Sequence, residues 1–455
     1  MNNELIMKAL EYVDNKQFQL LKNLFGEMQA ADIQELFEEL TETQIIVVFR
    51  LLPKELAAEV FVEMDSDSQE HLINNFSDKE LKAVLDELFA DDTVDIIEEM
   101  PATVVKRILN NSKADMRKTV NELLKYPKDS AGSIMTTEYV ALRKNMTVSQ
   151  AFELIRKVAI DKETIYTCYV RDTDRRLIGL VTAKTLMISP LDAVIEDIME
   201  SNIISASTMD DKEDVAKMFE KYDFLALPVV DNENRIVGIV TVDDAIDVIH
   251  EELEEDFAKM NAIVPNEKEY LRTGVFELFI KRIPWLMFLM VSATFTGMII
   301  DSFETALSGC AILIAFIPML MGTGGNSGSQ SSVTVIRSLS MGEVEFKDLV
   351  KVIWKELRVA LLCGVALAVI NFAKIMIIDR AVMGDAVTVT VALVICITLF
   401  VTVICAKLIG CILPMFADKI GFDPAVMASP FITTLIDAVS LLVYFQIAQM
   451  VLGIG

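Results

Sequence analysis

Five apolar stretches fill the last part of this 455-residue chain, at 283–303, 307–336, 356–379, 386–416 and 425–453. Each is longer than the roughly 20 residues a helix needs to cross about 30 Å of hydrocarbon. Lipid offers the backbone no hydrogen bonds, so the stretches are expected to form an all-α, five-helix transmembrane domain over 271–455. The second one is unusual, because Ala311 to Gln330 runs out of apolar residues into Gly-Thr-Gly-Gly-Asn-Ser-Gly-Ser-Gln. Irregular, glycine-rich backbone at that depth is tolerated only when buried in protein or lining a wet cavity, which predicts a pore or transport site. The competing reading is close helix packing through Gly322, Gly324, Gly325 and Gly328.

A formal charge of -26 beside 53% hydrophobic residues fits no single globular body. Most of the acid precedes residue 280, so the chain divides into a soluble acidic half and a membrane half. An acidic surface repels nucleic acid and attracts cations. The opening segment MNNELIMKALEYVDNKQF is polar and amphipathic rather than a secretory leader, and the soluble half is expected to stay in the cytoplasm. Lys281, Arg282, Arg337, Lys347, Lys351, Lys355, Arg358 and Lys419 fall on the amino-terminal side of a five-span topology. Arg380 stands on the other side with Asp301, Glu304, Asp379 and Asp385. The positive-inside rule then predicts a multi-pass protein of the cytoplasmic membrane, its amino terminus cytoplasmic and its carboxyl terminus outside. The six cysteines, Cys168, Cys310, Cys363, Cys396, Cys405 and Cys411, form no C-x-x-C pair, and His71 and His250 are the only histidines. That leaves no zinc cluster, so a bound metal must use oxygen ligands.

Residues 1–130 show helical periodicity in short blocks that open on Ser, Asp, Thr or Pro, as in SDKELKAVLDELF and ADDTVDIIEEMP, which predicts a superhelix of short helices. Asp91 and Asp95 are four apart, on one helix face. From residue 131 two β-α-β-type units follow, 131–194 and 195–242. Each has an Ile-Met start and a Gly-hydrophobic-Val-Thr strand, Gly179 to Thr182 and Gly238 to Thr241. The repeat resembles a tandem pair of CBS domains. Pairs of that kind bind adenosine nucleotides through Thr-x-x-Asp. The resemblance places that signature at Thr241 and Asp244, while the first unit has Thr182 and Thr185. A packing and dimerisation module without nucleotide is the alternative.

The segment 243–270 reads as an acidic connecting helix, with Asp244, Asp247, Glu251 and Glu255 on one stripe. Like charges at that spacing repel, so the stripe needs something positive against it. In the last stretch, FITTLIDAVSLLVYF places Asp437 at membrane depth, with Thr433 and Thr434 four and three residues earlier. A carboxylate there normally faces the protein interior or a wet path. With hydroxyls and small-residue backbone it offers the hard oxygen ligands that Mg2+ or Ca2+ prefers.

The run PMLMGTGGNSGSQ at 318–330, the Asp437 motif, Asp423-Pro424 and the helical-plus-CBS amino half together resemble the MgtE family of bacterial magnesium channels. The resemblance implies a multidomain fold: an α-helical superhelix, an α/β tandem CBS pair, an acidic connecting or plug helix and a five-helix pore domain, paired as a homodimer in the lipid bilayer. It implies a pore ion site at Asp437 beside Gly325 and Asn326, with Thr433 close by. It implies regulatory Mg2+ sites at Asp211, Glu213 and Asp223, at Asp244, Asp247, Glu252, Glu255 and Asp256, and at Asp423. Asp91 and Asp95 are further candidates. Mg2+ is then both substrate and regulator, and ATP a candidate ligand of the CBS pair. The remaining alternatives are a CBS-regulated transporter of Co2+, Mn2+ or another substrate, and a membrane-anchored sensor or enzyme. No nucleophile–base pairing favours an enzyme.

Overall fold

The computed structural model describes residues 2–265, 270, 273–303, 311–382, 387–427 and 429–453. Cys310, Glu304 and Asp385, together with the start of the second apolar stretch, lie outside the described residues. Two compact units, Met1–His250 and Glu251–Gly455, divide within the helix Val242–Met260.

In the first unit, ten short helices run from Asn2–Asp14 to Ala114–Leu123. Side-chain caps fix where several of them begin, and Pro53 and Pro101 open two others. Ser77 Oγ accepts from Glu80 N at 3.3 Å while Glu80 accepts from Ser77 N at 2.7 Å, and Asp65 accepts from Ser68 N at 3.0 Å. Alternate helices stack, the first on the third, third on fifth, fifth on seventh and seventh on ninth, which builds the expected superhelix. Phe37, Phe49, Phe61 and Phe76 fill its centre, with ring centroids 5.3–6.4 Å apart.

The two repeats form matching three-stranded sheets: β1 (Val140–Arg143), β2 (Thr167–Arg171) and β3 (Leu177–Thr182), then β4 (Ala206–Ser207), β5 (Ala226–Val230) and β6 (Ile236–Thr241). In each, the first pair is parallel and the second antiparallel, and a bulge falls at the same place, Val170/Arg171 and Val229/Val230. The hairpins turn through Arg175 and Asn234, both at positive φ. They bond to each other there, Leu177 N to Asn234 O at 2.9 Å and Ile236 N to Arg175 O at 3.2 Å. The internal sequence repeat is therefore a pseudo-two-fold pair. One apolar core runs from the superhelix into the second repeat, through Ala206, Val215, Phe219 and Leu227.

The second unit holds the helices Val275–Ser302, Ile317–Ser340, Leu349–Lys374, Val389–Lys419 and Ser429–Leu452. Among the described residues, four helical stretches are long and apolar enough to cross a membrane, and Ile317–Ser340 is not one of them. That helix overturns one expectation. Its glycine run is continuous α-helix rather than irregular backbone, so its N–H and C=O groups satisfy one another. The glycines serve contact instead: a methyl at Gly328 would overlap Ile436, one at Gly410 would overlap the Gly328 carbonyl, and one at Gly324 would lie 2.8 Å from Ser440 Oγ and Thr402 Cγ2. Small residues let Ile317–Ser340 sink between Val389–Lys419 and Ser429–Leu452.

Candidate metal and transport sites

The glycine helix brings together most of the residues singled out for the pore. A Cβ on Gly325 would meet Thr433 Cγ2 at 2.8 Å, and Ser329 Oγ lies 3.4 Å from Thr433 Oγ1. Asp437 is one turn beyond Thr433 on Ser429–Leu452. Its Oδ1 is buried with no hydrogen-bond partner among the described residues, as are Ser440 Oγ, Thr402 Oγ1 and Thr398 Oγ1. A buried oxygen without a donor has lost its hydration uncompensated, which is the environment a hard cation reverses. Asn326 sits apart. With Gly322, Gln330 and Thr334 it lies on the exposed side of the helix, while Gly324, Gly325, Ser327 and Gly328 are buried.

Sequence reasoning overlooked a second polar cluster in this unit. Lys407, in the middle of Val389–Lys419, is 5% exposed. Its Nζ donates to Ser331 Oγ at 3.3 Å, and Ser331 Oγ donates to Glu356 Oε2 at 2.6 Å. A charge so placed needs an internal partner. The signal was present, since Lys407 interrupts an apolar run and Glu356 lies twenty-five residues from Ser331 on the next helix.

In the first unit, Asp91 and Asp244 enter one acidic cluster. Asp91 is 6% exposed with Oδ1 unpartnered among the described residues, and Asp95, four residues on, is exposed. Burial raises the Asp91 carboxyl well above its ordinary range, and Asp92, Asp244 and Glu163 add to the rise. Glu163 is pushed up to about 7 by burial and then by Asp92, Asp244, Asp243 and Glu138. Asp244 is also raised to about 7 by burial, although it accepts from Thr241 Oγ1 at 2.5 Å. Glu163 and Asp92 were not foreseen, because only folding brings them to Asp244.

Such carboxyls hold their protons to higher pH in the folded chain than in the unfolded one. Their contribution is complete below the unfolded range of about 4 and is lost as pH rises through about 7. Hydrogen exchange in segments 88–99, 160–166 and 240–248, in chelator, should therefore show more opening at about pH 8 than at about pH 5 once intrinsic rates are removed. Mg2+ should restore protection mainly at the higher pH. Equal protection at both would mean that the cluster carries no net repulsion.

Other residues stay separate. Asp211 caps the helix Lys212–Tyr222 by accepting from Glu213 N at 2.9 Å, and Glu213 pairs with Lys217 at 2.8 Å. Asp223 is the left-handed cap at the far end, about 16 Å away along an 11-residue helix. Within one chain these three form no common site. Asp247 is exposed and Glu252 half-buried on the connecting helix, Asp256 lies 3.5 Å from Ser340 Oγ, and Asp423 accepts from Ala425 N at 2.8 Å. Among the described residues no three Asp, Glu, His or Cys side chains converge into a ready metal cage. Thr241 and Asp244 satisfy each other at the start of the connecting helix, facing acids. A separate cleft of about 520 Å3, lined by Tyr126, Tyr139 and Leu154, carries three cations, Lys162, Arg171 and Arg175, against one acid, Glu122.

The model of the MgtE divalent cation transporter family matches residues 317–447, the MgtE intracellular N domain matches 28–129, and the CBS domain matches 131–191 and 195–251. The magnesium transporter MgtE of Thermus thermophilus is 33% identical over 456 residues, 99% of each chain. The chain belongs to the MgtE family. The MgtE of Bacillus subtilis is 32% identical over 98% of this chain and 97% of its own. A crystal structure of the cytosolic domain of the Mg2+ channel MgtE in complex with ATP matches with a TM-score of 0.51 and 35% identity, covering 53% of this chain and 99% of that one. As an MgtE-family member with several apolar helices, the chain is a multi-pass membrane transporter.

Proposed function

We propose that this chain is a Mg2+ channel of the cytoplasmic membrane, closed by cytoplasmic Mg2+ held on the acidic faces of its soluble half. The observation that carries the reading is Asp437, a carboxyl in an apolar unit with a buried oxygen unpartnered among the described residues, beside Thr433 and the close-packed Gly325. Mg2+ keeps most of its water and takes one or two carboxylates, which suits a lone acid among hydroxyls. Relatives named magnesium transporters support the choice of ion.

Asn326 and Gln330 supply the argument for assembly. Uncovered amides at membrane depth need a wet path or another polypeptide, so the exposed side of Ile317–Ser340 lines a pore at the axis of a homodimer. The soluble half, with domain limits at 130, 194, 242 and 270, is cytoplasmic, and the carboxyl terminus is outside. Regulatory Mg2+ binds the cluster of Asp91 and Asp244, Asp247 on the first part of the connecting helix, the acids Glu252, Glu255 and Asp256 of its second part with Asp423, and, between copies, Asp95, Asp211, Glu213 and Asp223. Each ion relieves a repulsion, and closure follows to the extent that the closed state holds more ions than the open one. ATP, which a related cytosolic domain binds, goes to the cationic cleft at Arg171 and Arg175 rather than to Thr241 and Asp244, where acids would repel its phosphates.

The test is current through reconstituted protein against cytoplasmic Mg2+, Co2+, Mn2+ and Ca2+, with and without ATP. Mg2+ current that cytoplasmic Mg2+ shuts off is expected, with an ATP effect that Arg171→Ala/Arg175→Ala removes. Mg2+-independent current, or none carried by Mg2+, would refute the reading.

A further inference from the structure

In the second unit, the carboxyl-terminal turn of the connecting helix meets the turn that precedes Ser429–Leu452. Met260 packs with Ile336 and Ala425, and Val264 N donates to Lys281 O at 3.2 Å. At this contact two acids, Glu255 and Asp423, come to the same cation. Lys259 Nζ lies 2.5 Å from Glu255 Oε1 and 2.7 Å from Asp423 Oδ2. Glu255 is one turn before Lys259 on the same helix, while Asp423 reaches it from the start of the 3-10 turn Pro424–Met427. Asp423 is itself fixed, since its Oδ1 accepts from Ala425 N at 2.8 Å. All three side chains are 28–39% exposed, so water and ions reach the group.

We propose that Lys259 is a tethered cation that bridges Glu255 and Asp423 when divalent ion is scarce and must leave when a divalent ion binds them. The inference rests on the proposed regulatory role of those two acids and adds what sets its threshold. One ammonium against two carboxylates leaves a net charge of −1, so the bridge holds the contact but neutralises only half of it. A divalent ion cancels both charges. Its gain is reduced by the ion pairs it breaks, so Lys259 both keeps the contact closed enough to be captured and raises the concentration needed to capture it.

The experiment uses the full-length protein in nanodiscs and follows hydrogen exchange in segments 250–262 and 420–427 during Mg2+ titration from chelator. The variants are Lys259→Met, which keeps the stem and removes the charge, Lys259→Arg, which keeps both, and Asp423→Asn. In chelator, Lys259→Met should exchange faster than wild type in both segments, and Lys259→Arg should not. On titration, the midpoint of protection for Lys259→Met should fall about two- to fivefold, the size expected for releasing partly exposed ion pairs. Asp423→Asn should move it the other way. Wild-type protection by Mg2+ with an unshifted or raised midpoint in Lys259→Met overturns the role of Lys259 and leaves the metal reading standing. No protection of either segment in wild type overturns both.

Discussion

Replacing Asp437 with alanine or asparagine is expected to reduce Mg2+ flux to the level of protein-free liposomes while the protein still purifies as a folded species. Asparagine preserves the size and one oxygen, so it isolates the charge. At about 4 Å and an effective dielectric near 20, a carboxylate is worth on the order of 4 kcal/mol per unit of cation charge, about three decades in occupancy. The sequence of Ser429–Leu452 holds no other acid to replace it. Hydration alone would leave the ion no reason to dwell in an apolar unit. Fluorescent-indicator flux into proteoliposomes measures the effect. Wild-type flux through Asp437→Asn would remove Asp437 from the conduction path, whatever the fold of the variant.

The second large effect is steric. Gly410→Ala puts a methyl onto the carbonyl of Gly328, and the obstacle is helix backbone, which cannot rotate away as a side chain can. Val389–Lys419 and Ile317–Ser340 must then separate, at a cost of about 1–3 kcal/mol for overpacking, with the Lys407–Ser331 contact one turn away strained by the same movement. A clear drop in the melting temperature of the solubilised protein is expected, with flux lost in what remains folded. Gly297→Ala is the control. That glycine is also helical but has nothing within 4 Å among the described residues, so the substitution should be neutral or stabilise slightly. Equal melting temperatures for the two variants would show that the Gly328–Gly410 approach is looser than described.

What the sequence disclosed follows from the range of the interactions involved. Ser77 with Glu80 and Thr147 with Gln150 are separated by three residues, so the caps that cut the superhelix and the first repeat into short pieces could be read directly. The two Gly-hydrophobic-Val-Thr strands announced the repeat, and the structure adds a bulge shared at the same register, which the sequence did not disclose. The glycine run was misjudged because its composition suits both an open backbone and a close one. Only the positions of Thr402, Ile436 and Gly410, seventy to more than a hundred residues away, decide between them. Asp92 and Glu163 escaped for the same reason, and so did the cation that answers the acidic stripe. Lys259 was in plain view four residues from Glu255, but its second partner, Asp423, is 164 positions further on.

The exposed side of Ile317–Ser340 bears on biogenesis. In a single newly inserted copy, nothing among the described residues covers the amides of Asn326 and Gln330. Each unsatisfied polar group in hydrocarbon costs several kcal/mol, so a solitary chain is a short-lived species that membrane proteases would find before a partner does if synthesis is slow. On the proposed homodimer, steady-state abundance should rise more steeply than in proportion to expression, because survival would depend on meeting a second copy. Substituting leucine for both amides would reverse that dependence, yielding a stable orphan in the bilayer that accumulates linearly and conducts nothing.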